Sequence, residues 1–557
     1  MKSKLLKRTL SSLMVTTLVI GSLVGCGNAS AEKESKEASV QTESTASKST
    51  ASVEGSTTVA EEETGITYPL EEDVTLKIAY QTNGTVTAHY KDLTETRYWE
   101  ALQENTGVKL EAMELGGDAL RLMLLSGELP DIIIMKTSDY PGGLTRAILD
   151  GVVEPLNDYA EYMPDLMEVL ESEEIYWKGA TTNSDEILGA PFIRGDDYLL
   201  TSMGVVIRDQ WLDELGLEMP DTPDEFYEVL KAFKEEKGAN APFSSTFGTM
   251  FSTLLEKGVL TGAFGIPRAT EYVMDGEVKY GFAQPEMKEV FAYLKKLYDE
   301  GLIDPDITTV DATTVNNNIK DGTSGAIIAS VGGGIGGFMT TMEAEDPDYS
   351  VTGMPSLASA DGERAMSGCA EFPVTTTYMV MTTSCSNKEA AVKFLNYGYT
   401  EEGGMFYNYG IEGESYNMVD GKPVYTEWVT KNPDGWSMAQ ALANYCCSWN
   451  TGAFVQQKGY MEQFAPRPQQ TAAIEAWSNN DALEYMIPPS TILEEYNDEY
   501  TKINSEIYSF VTEMVVAYMT GVKSLDNFET EFLGTLESLG VNRLCEIREL
   551  SIAKWFE

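Results

Sequence analysis

Hydrophobic positions in this chain follow two alternating periods from residue 68 onward. Val74, Leu76, Ile78 and Tyr80 alternate with polar or small residues, which predicts a half-buried first strand. A helix is expected around Tyr98, Trp99 and Leu102, stopping near Gly107. Val108, Leu110 and Ala112 alternate again, and Leu120 to Leu125 read as a short apolar helix closed by Ser126-Gly127. Pro130-Asp131 then introduces the unbroken apolar run Ile132 to Met135, of the kind found in parallel strands covered on both faces. This βαβαβ opening places the chain in the α/β class. Further on, Thr222-Pro223-Asp224-Glu225 combines an N-cap threonine, a proline in the first turn and a glutamate at N3, a capping box. Phe226, Val229, Leu230 and Phe233 follow at the spacing of one helix face. A second amphipathic helix is expected from about Pro285 to Asp299, burying Met287, Val290, Phe291 and Leu294. Trp99 and Trp211 stand among apolar residues at helical spacing and read as core.

The first 67 residues show neither period. Lys2, Lys4, Lys7 and Arg8 precede an apolar run from Leu10 to Val24, the arrangement of an export signal. Leu23-Val24-Gly25-Cys26 resembles the bacterial lipobox, so residues 1–25 read as a lipoprotein signal peptide and Cys26 as the lipidated residue. The mature chain would then be anchored by lipid to the extracellular face of the cell membrane, in the Gram-positive manner. From Gly27 to about Thr67 the sequence is Ser, Thr, Ala, Glu and Lys without an aromatic residue, a composition that cannot offset the entropy of ordering. Residues 26–67 read as the lipidated cysteine and a flexible tether, whose roughly 40 residues give an end-to-end distance of about 35 Å.

Composition narrows the chemistry. Over 557 residues, 88 Asp and Glu face 39 Lys and Arg, a formal charge of −49. Such a surface repels phosphate backbones and anionic headgroups, so no nucleic acid is expected as a partner. The single histidine, His89, excludes sites built on several imidazoles. Of the six cysteines, Cys26 belongs to the lipidation site, and the odd remainder of Cys369, Cys385, Cys446, Cys447 and Cys545 argues for buried thiols rather than a disulfide framework. Gly332 to Gly337 satisfies GxGxxG after an apolar strand at Ala326–Ser330, but it lies far from the first βαβ unit and reads as a bare-backbone loop beside a cleft. Walker, nucleophile-elbow and HExxH motifs are absent from the sequence. No catalytic residue, cofactor or metal is expected.

Several dispersed segments resemble the extracellular solute-binding proteins of family 1, the lipoprotein receptors of carbohydrate ABC importers. They are Ser126-Gly127-Glu128-Leu129-Pro130-Asp131, Ile207 to Gly216 with Pro220 and Thr222 after it, and Gly301 to Asp306. Tyr409 to Tyr416 and Asp420 to Tyr425 complete the set. Where many relatives carry a calcium-type loop, this chain has Lys234 to Pro242, shorter and without the carboxylate and amide ladder a calcium ion needs. The resemblance implies a two-lobed periplasmic-binding-protein-like fold with hinge strands and a ligand cleft between the lobes. Residues 68–557 would form this domain, with lobe 1 at about 68–190 plus a later return, and lobe 2 at about 191–370 plus the C-terminal helices. It also implies a monomer that binds a small solute, an oligosaccharide, and delivers it to ABC transporter permease subunits.

Aromatic faces stack on pyranose C–H surfaces, while amides, carboxylates and guanidinium groups bond hydroxyls. Residues of those types in loops at the strand ends are therefore the ligand candidates. They are Asn83, His89 and Tyr90 after the first strand, Asp139 and Tyr140 after the third, Arg194 and Tyr198, then Glu371 and Phe372. Trp436 and Trp449 join them from a Gly-, Asn- and Ser-containing region. Two other readings stay open at this point: a surface glycoside hydrolase working with two carboxylates, and a binding lipoprotein for peptides or other non-sugar solutes.

Overall fold

The computed structural model describes residues 65–81, 84–116, 118–359, 364–446 and 452–556. The signal segment, Cys26 and all but the end of the tether lie outside the described residues, as do Asn83, Cys447 and Trp449. The strands in chain order are β1 (Val74–Gln81), β2 (Val108–Leu115), β3 (Ile132–Lys136), β4 (Ala190–Arg194), β5 (Met203–Ile207) and β6 (Phe243–Ser244). They continue with the hairpin β7 (Glu271–Met274) and β8 (Glu277–Tyr280), then β9 (Ala326–Ser330), β10 (Thr352–Gly353) and β11 (Val374–Met381). The hairpin β12 (Tyr416–Val419) and β13 (Lys422–Tyr425) and the short β14 (Val455–Gln456) complete them.

Two main sheets result. One has six strands in the order β14-β4-β11-β3-β1-β2, and the other has four in the order β10-β5-β9-β6. In the first, β1 runs parallel to β2 and β3, β11 is antiparallel to β3 and β4, and β14 is parallel to β4. The ends of β1, β3, β4 and β14 therefore share one edge with the start of β11. In the second, β5 is antiparallel to β9 and β10 while β6 is parallel to β9. The start of β5 lies at the same edge as the ends of β6, β9 and β10. Since the chain leaves β4 at Arg194 and enters β5 at Met203, these two edges face each other.

Strand periodicity explains how each sheet is covered. In β5 and β9, Val205, Ile207, Ala326 and Ile328 enter one hydrophobic cluster, while Val206 and Ile327 enter another on the opposite face. The first of these clusters takes in the capped helix Pro223–Glu236, the helix Met287–Asp299 and the long helix Asn497–Met519. The six-stranded sheet has its own cluster, from Val74 through Phe454. Trp99 and Trp211 are both buried, and the GxGxxG stretch is a wide helical turn, Val331–Gly336, leading into the helix Gly337–Met342. Residues 237–242 make a turn at Gly238 (φ +70°) that carries no carboxylate and buries Ala239 and Ala241.

Three chain crossings join the sheets: residues 195–202 between β4 and β5, residues 354–373 between β10 and β11, and the step from β14 into the helix Lys458–Phe464. They are hydrogen-bonded to one another. Gly195 N donates to Gln456 O at 3.0 Å, Arg194 N to Pro373 O at 2.8 Å and Glu371 N to Leu200 O at 2.9 Å. The crossings run so close together that a Cβ on Gly195 would lie 2.7 Å from Val455 Cγ1 and 2.9 Å from Gln456 O. Glycine at 195 is what lets these two segments pass.

Candidate functional site

Side chains reinforce the same crossing point. Arg194, buried at the end of β4, donates from Nη1 to Gln456 Oε1 at 3.2 Å and from Nη2 to Glu371 Oε2 at 3.0 Å. One guanidinium thus ties the three crossings. Its Nε is buried and meets no acceptor. Glu371, less buried, also has Lys257 Nζ at 3.8 Å.

A cavity opens on each side of this knot. The larger, of about 510 Å³, is walled by Thr137 and Gly142–Thr145 after β3, by Glu371, Phe372 and the start of β11, and by Lys257, Arg268, Ser490, Tyr500 and Arg548. The second, of about 450 Å³, is formed by Arg194, Phe192, Gln456, Ser202, Ser330–Gly333, Ser437, Gln440, Tyr460 and Phe464. The second reaches the edges of both sheets, at Arg194 and at Ser330, whereas the larger lies between the edge of the six-stranded sheet and the segments carrying Lys257, Arg268, Tyr500 and Arg548. The bare Gly332-Gly333 backbone borders the second cavity, where a Cβ at Gly332 would strike the ring of Phe464.

Polar groups in the larger cavity differ in how well they are satisfied. Arg548 forms a two-point contact with Glu271, at 3.2 Å from both Nε and Nη2, and Tyr500 donates its hydroxyl to Glu271 Oε2 at 2.5 Å. Burial and the neighbouring glutamate hold the Tyr500 hydroxyl well above its ordinary pKa, so it stays protonated. By contrast, Thr145 Oγ1, Arg268 Nη1 and Ser490 Oγ are buried without a hydrogen-bond partner, and all three residues line this cavity. Native proteins leave few buried polar atoms unsatisfied. Three of the ten such atoms among the described residues belong to this wall, where a polar ligand or water can supply the partner.

The sequence candidates divide accordingly. Glu371 and Phe372 line the larger cavity and Arg194 the second, so the crossing point brings these three together. Asp139 and Tyr140 line an adjoining cavity of about 490 Å³ with Arg121 and Arg146. Both already have partners there. Asp139 Oδ2 accepts from Lys136 N at 2.8 Å, and the Tyr140 hydroxyl donates to Asp150 at 2.8 Å, with burial and that contact pushing its pKa up to about 12. His89 stacks on Trp436 with ring centroids 3.9 Å apart, and Tyr90 and Trp428 meet Trp436 edge-on. This aromatic group sits beside Ser437, Gly84 and Thr85 of the second cavity. Tyr198 packs on the four-stranded sheet's outer cluster beneath Lys458, whose Nζ is 5.1 Å from its ring. Lys257, Arg268, Tyr500 and Arg548 were not among the candidates.

Among the described residues no group of three or more His, Cys, Asp and Glu is placed to hold a metal ion, and no helix is long and apolar enough to cross a membrane. Cys369 and Cys385 are buried free thiols, Cys545 is a half-buried one, and Cys446 is buried. Burial raises the Cys385 thiol to about 11 and that of Cys545 to about 12, which keeps both unreactive at neutral pH.

A facing pair of α/β sheets, three bonded crossings and cavities between them make a receptor architecture. The family model described as bacterial extracellular solute-binding protein matches residues 90–405, more than half the chain. The chain belongs to that family. Lipoprotein LipO of Bacillus subtilis is 28% identical over 368 residues, covering 63% of this chain and 69% of the relative. The fructooligosaccharide ABC transporter substrate-binding protein FusA of Streptococcus pneumoniae is 27% identical over 370 residues, 63% of this chain and 65% of that protein. Among solved structures, the alginate-binding protein AlgQ2 without calcium ion superposes with a TM-score of 0.71 at 21% identity, over 86% of this chain and 98% of its own. The fold is the two-lobed α/β fold of these solute-binding proteins.

Proposed function

We propose that this solute-binding protein is a lipid-anchored receptor, held at the extracellular face of the membrane through Cys26, that captures an oligosaccharide in its interlobe cleft and passes it to the permease of an ABC importer. The observation that carries the reading is the larger cavity, where partnerless hydroxyls at Thr145 and Ser490 stand among Phe372 and Tyr500. Hydroxyls that need partners and aromatic rings that need flat C–H faces are the two halves of a sugar site. FusA and AlgQ2 are named for binding fructooligosaccharide and alginate, which supports a sugar chain over a peptide. A length of several sugar units suits the two cavities on either side of Arg194, and Glu371 and Phe372 would contact the ligand between them. The lobes would extend over about residues 68–190 plus a return, and about 191–370 plus the C-terminal helices, with the boundary moved past β4 into residues 195–202 because β4 pairs in the six-stranded sheet. The receptor acts as a monomer and performs no catalysis of its own.

A melting-temperature screen of the mature chain against soluble oligosaccharides tests this. A ligand at a hundredfold excess over its Kd stabilises by about 2.7 kcal/mol, a shift of several degrees. One linkage series is expected to raise the melting temperature while chromatography recovers it unchanged. Release of shorter products would make the protein a glycoside hydrolase instead, and a shift with peptides alone would reassign the solute.

A further inference from the structure

Charge is distributed over this molecule in an uneven way. The chain carries more than two acids for every base, yet the wall of the larger cavity contains Lys257, Arg268 and Arg548 against the single carboxylate of Glu371. Behind that wall the pairing is nearly complete, with one exception. Glu371 is engaged by Arg194 at 3.0 Å and, more loosely, by Lys257 at 3.8 Å. Arg548 is neutralised by Glu271, with Tyr500 closing the triad. Arg268 has neither a hydrogen bond nor an ion pair among the described residues, and its Nη1 is buried without an acceptor. The carboxyl felt by Arg268 is that of Glu256, whose pKa burial raises and the Arg268 charge lowers, and desolvation of Arg268 itself lowers the guanidinium pKa. A desolvated guanidinium with no hydrogen-bonded acceptor is costly unless something anionic meets it. The planar fork of arginine matches a carboxylate in a two-point contact.

We propose that Arg268, assisted by Lys257, is the anchor for an anionic group on the ligand, so that the captured saccharide carries carboxylates, as a chain containing uronate residues does. This rests on the carbohydrate-receptor reading above and narrows it. The hydroxyls of Thr145 and Ser490 would serve the neutral edges of the same sugar, and Phe372 and Tyr500 its faces. The acidic exterior does not oppose such a ligand, because surface charges beyond about 8 Å are screened at physiological salt, whereas the buried Arg268 is not.

The experiment is calorimetric titration of the mature wild-type chain with trimers of mannuronate, guluronate and galacturonate, and with the same trimers after carboxyl reduction. A neutral panel of fructo-, manno- and galacto-oligosaccharides is run beside them. At least one uronate trimer is expected to bind, its reduced form about tenfold or more weaker, since a charge-assisted two-point contact is lost. Arg268→Gln should remove the same factor for the acid and change the reduced trimer by less than about twofold, with Lys257→Gln giving a smaller loss. Should Arg268→Gln fail to fold, the comparison of acid and reduced trimers on the wild-type chain decides alone. Equal binding of the two forms, or binding of neutral sugars with none of the uronates, overturns the anionic anchor and leaves the carbohydrate receptor standing. Failure of every sugar in both panels overturns both.

Discussion

Arg548 and Arg543 leave the same C-terminal helix, Val541–Ile552, and both meet glutamates, but burial separates their contributions. Arg548 and Glu271 are 14% and 12% exposed, and Tyr500 shares their hydrogen bonds. Arg543 and Glu499 are 33% and 45% exposed, and a pair so open to water contributes less. Removing one member of a buried pair strands the other charge, at about 3–5 kcal/mol. Arg548→Met is therefore expected to lower the urea midpoint strongly, and Arg543→Met to leave it almost unchanged. Equal effects from the two variants, read in parallel denaturation curves, would refute the ranking. The same residues show where single-residue reading of the sequence runs out. Arg194, at the end of β4, and Glu371 and Phe372, just before the antiparallel β11, stand at the strand termini where the sequence places ligand candidates, and they line the cavities. Arg268 follows a helical turn, Tyr500 lies early in a long helix and Arg548 is near the chain's end; each is unremarkable in its own neighbourhood. Their common wall is made by tertiary packing between segments hundreds of residues apart, and no local spacing encodes that. His89 and Trp436 illustrate the converse, since residues chosen as separate contacts stack on each other.

Elements were more legible than sites because their signals are local. The capping box at Thr222 forms as its spacing requires: Thr222 Oγ1 accepts from Glu225 N at 3.3 Å, and Glu225 Oε2 accepts from Thr222 N at 3.1 Å. The strand at Ala326–Ser330 and the stop at Gly107, which takes φ +73°, also follow their residues. The alternation in β2 is different. Val108 and Leu110 are buried, but Ala112 is exposed and burial resumes at Met113 and Leu115. As the edge strand of its sheet, β2 is covered over only part of its length, so its second half is free to change phase. The helix Met287–Asp299 carries the clearest energetic consequence. Its Phe291 was expected to be buried, and it stands at the centre of an aromatic group, with ring centroids 5.3 Å from Tyr518, 6.1 Å from Phe528 and 5.3 Å from Phe532. The partners of Phe291 come from the C-terminal region, which no pattern around residue 291 could reveal. Phe291→Ala empties a site that three large rings cannot collapse into, and about 3–5 kcal/mol of stability should be lost. Equilibrium denaturation checks this, and a loss below about 1 kcal/mol would mean that the C-terminal helices do not depend on that contact.

At the scale of the whole molecule, the question is whether the two halves can move. The six-stranded sheet closes its own hydrophobic cluster, and the four-stranded sheet is sandwiched between two others. Most apolar packing stays within one half, but the helix Glu401–Tyr409 gives Phe406 and Tyr407 to the cluster of the six-stranded sheet and Tyr409 to a cluster of the four-stranded one, beside the three crossings whose backbones are bonded near Arg194. Away from the crossings the halves are bridged by the His89, Tyr90, Trp428 and Trp436 rings beside the second cavity and by polar contacts beside the larger one. Asn497 Nδ2 donates to Gly142 O at 3.1 Å, Arg146 lies 3.4 Å from the largely exposed Asp498, and Lys178 Nζ donates to Trp555 O at 2.9 Å. Water replaces such contacts at small cost. An open and a closed arrangement within a few kcal/mol of each other is the expected consequence, and a ligand that touches both edges of the cleft would then decide between them through its differential contacts. Small-angle scattering of the mature chain, titrated with an oligosaccharide that gives a thermal shift, should show the radius of gyration falling in proportion to the bound fraction. Scattering curves that superpose at zero and saturating ligand would make the cleft a rigid site, and the three-strand crossing would then be a brace and not a hinge.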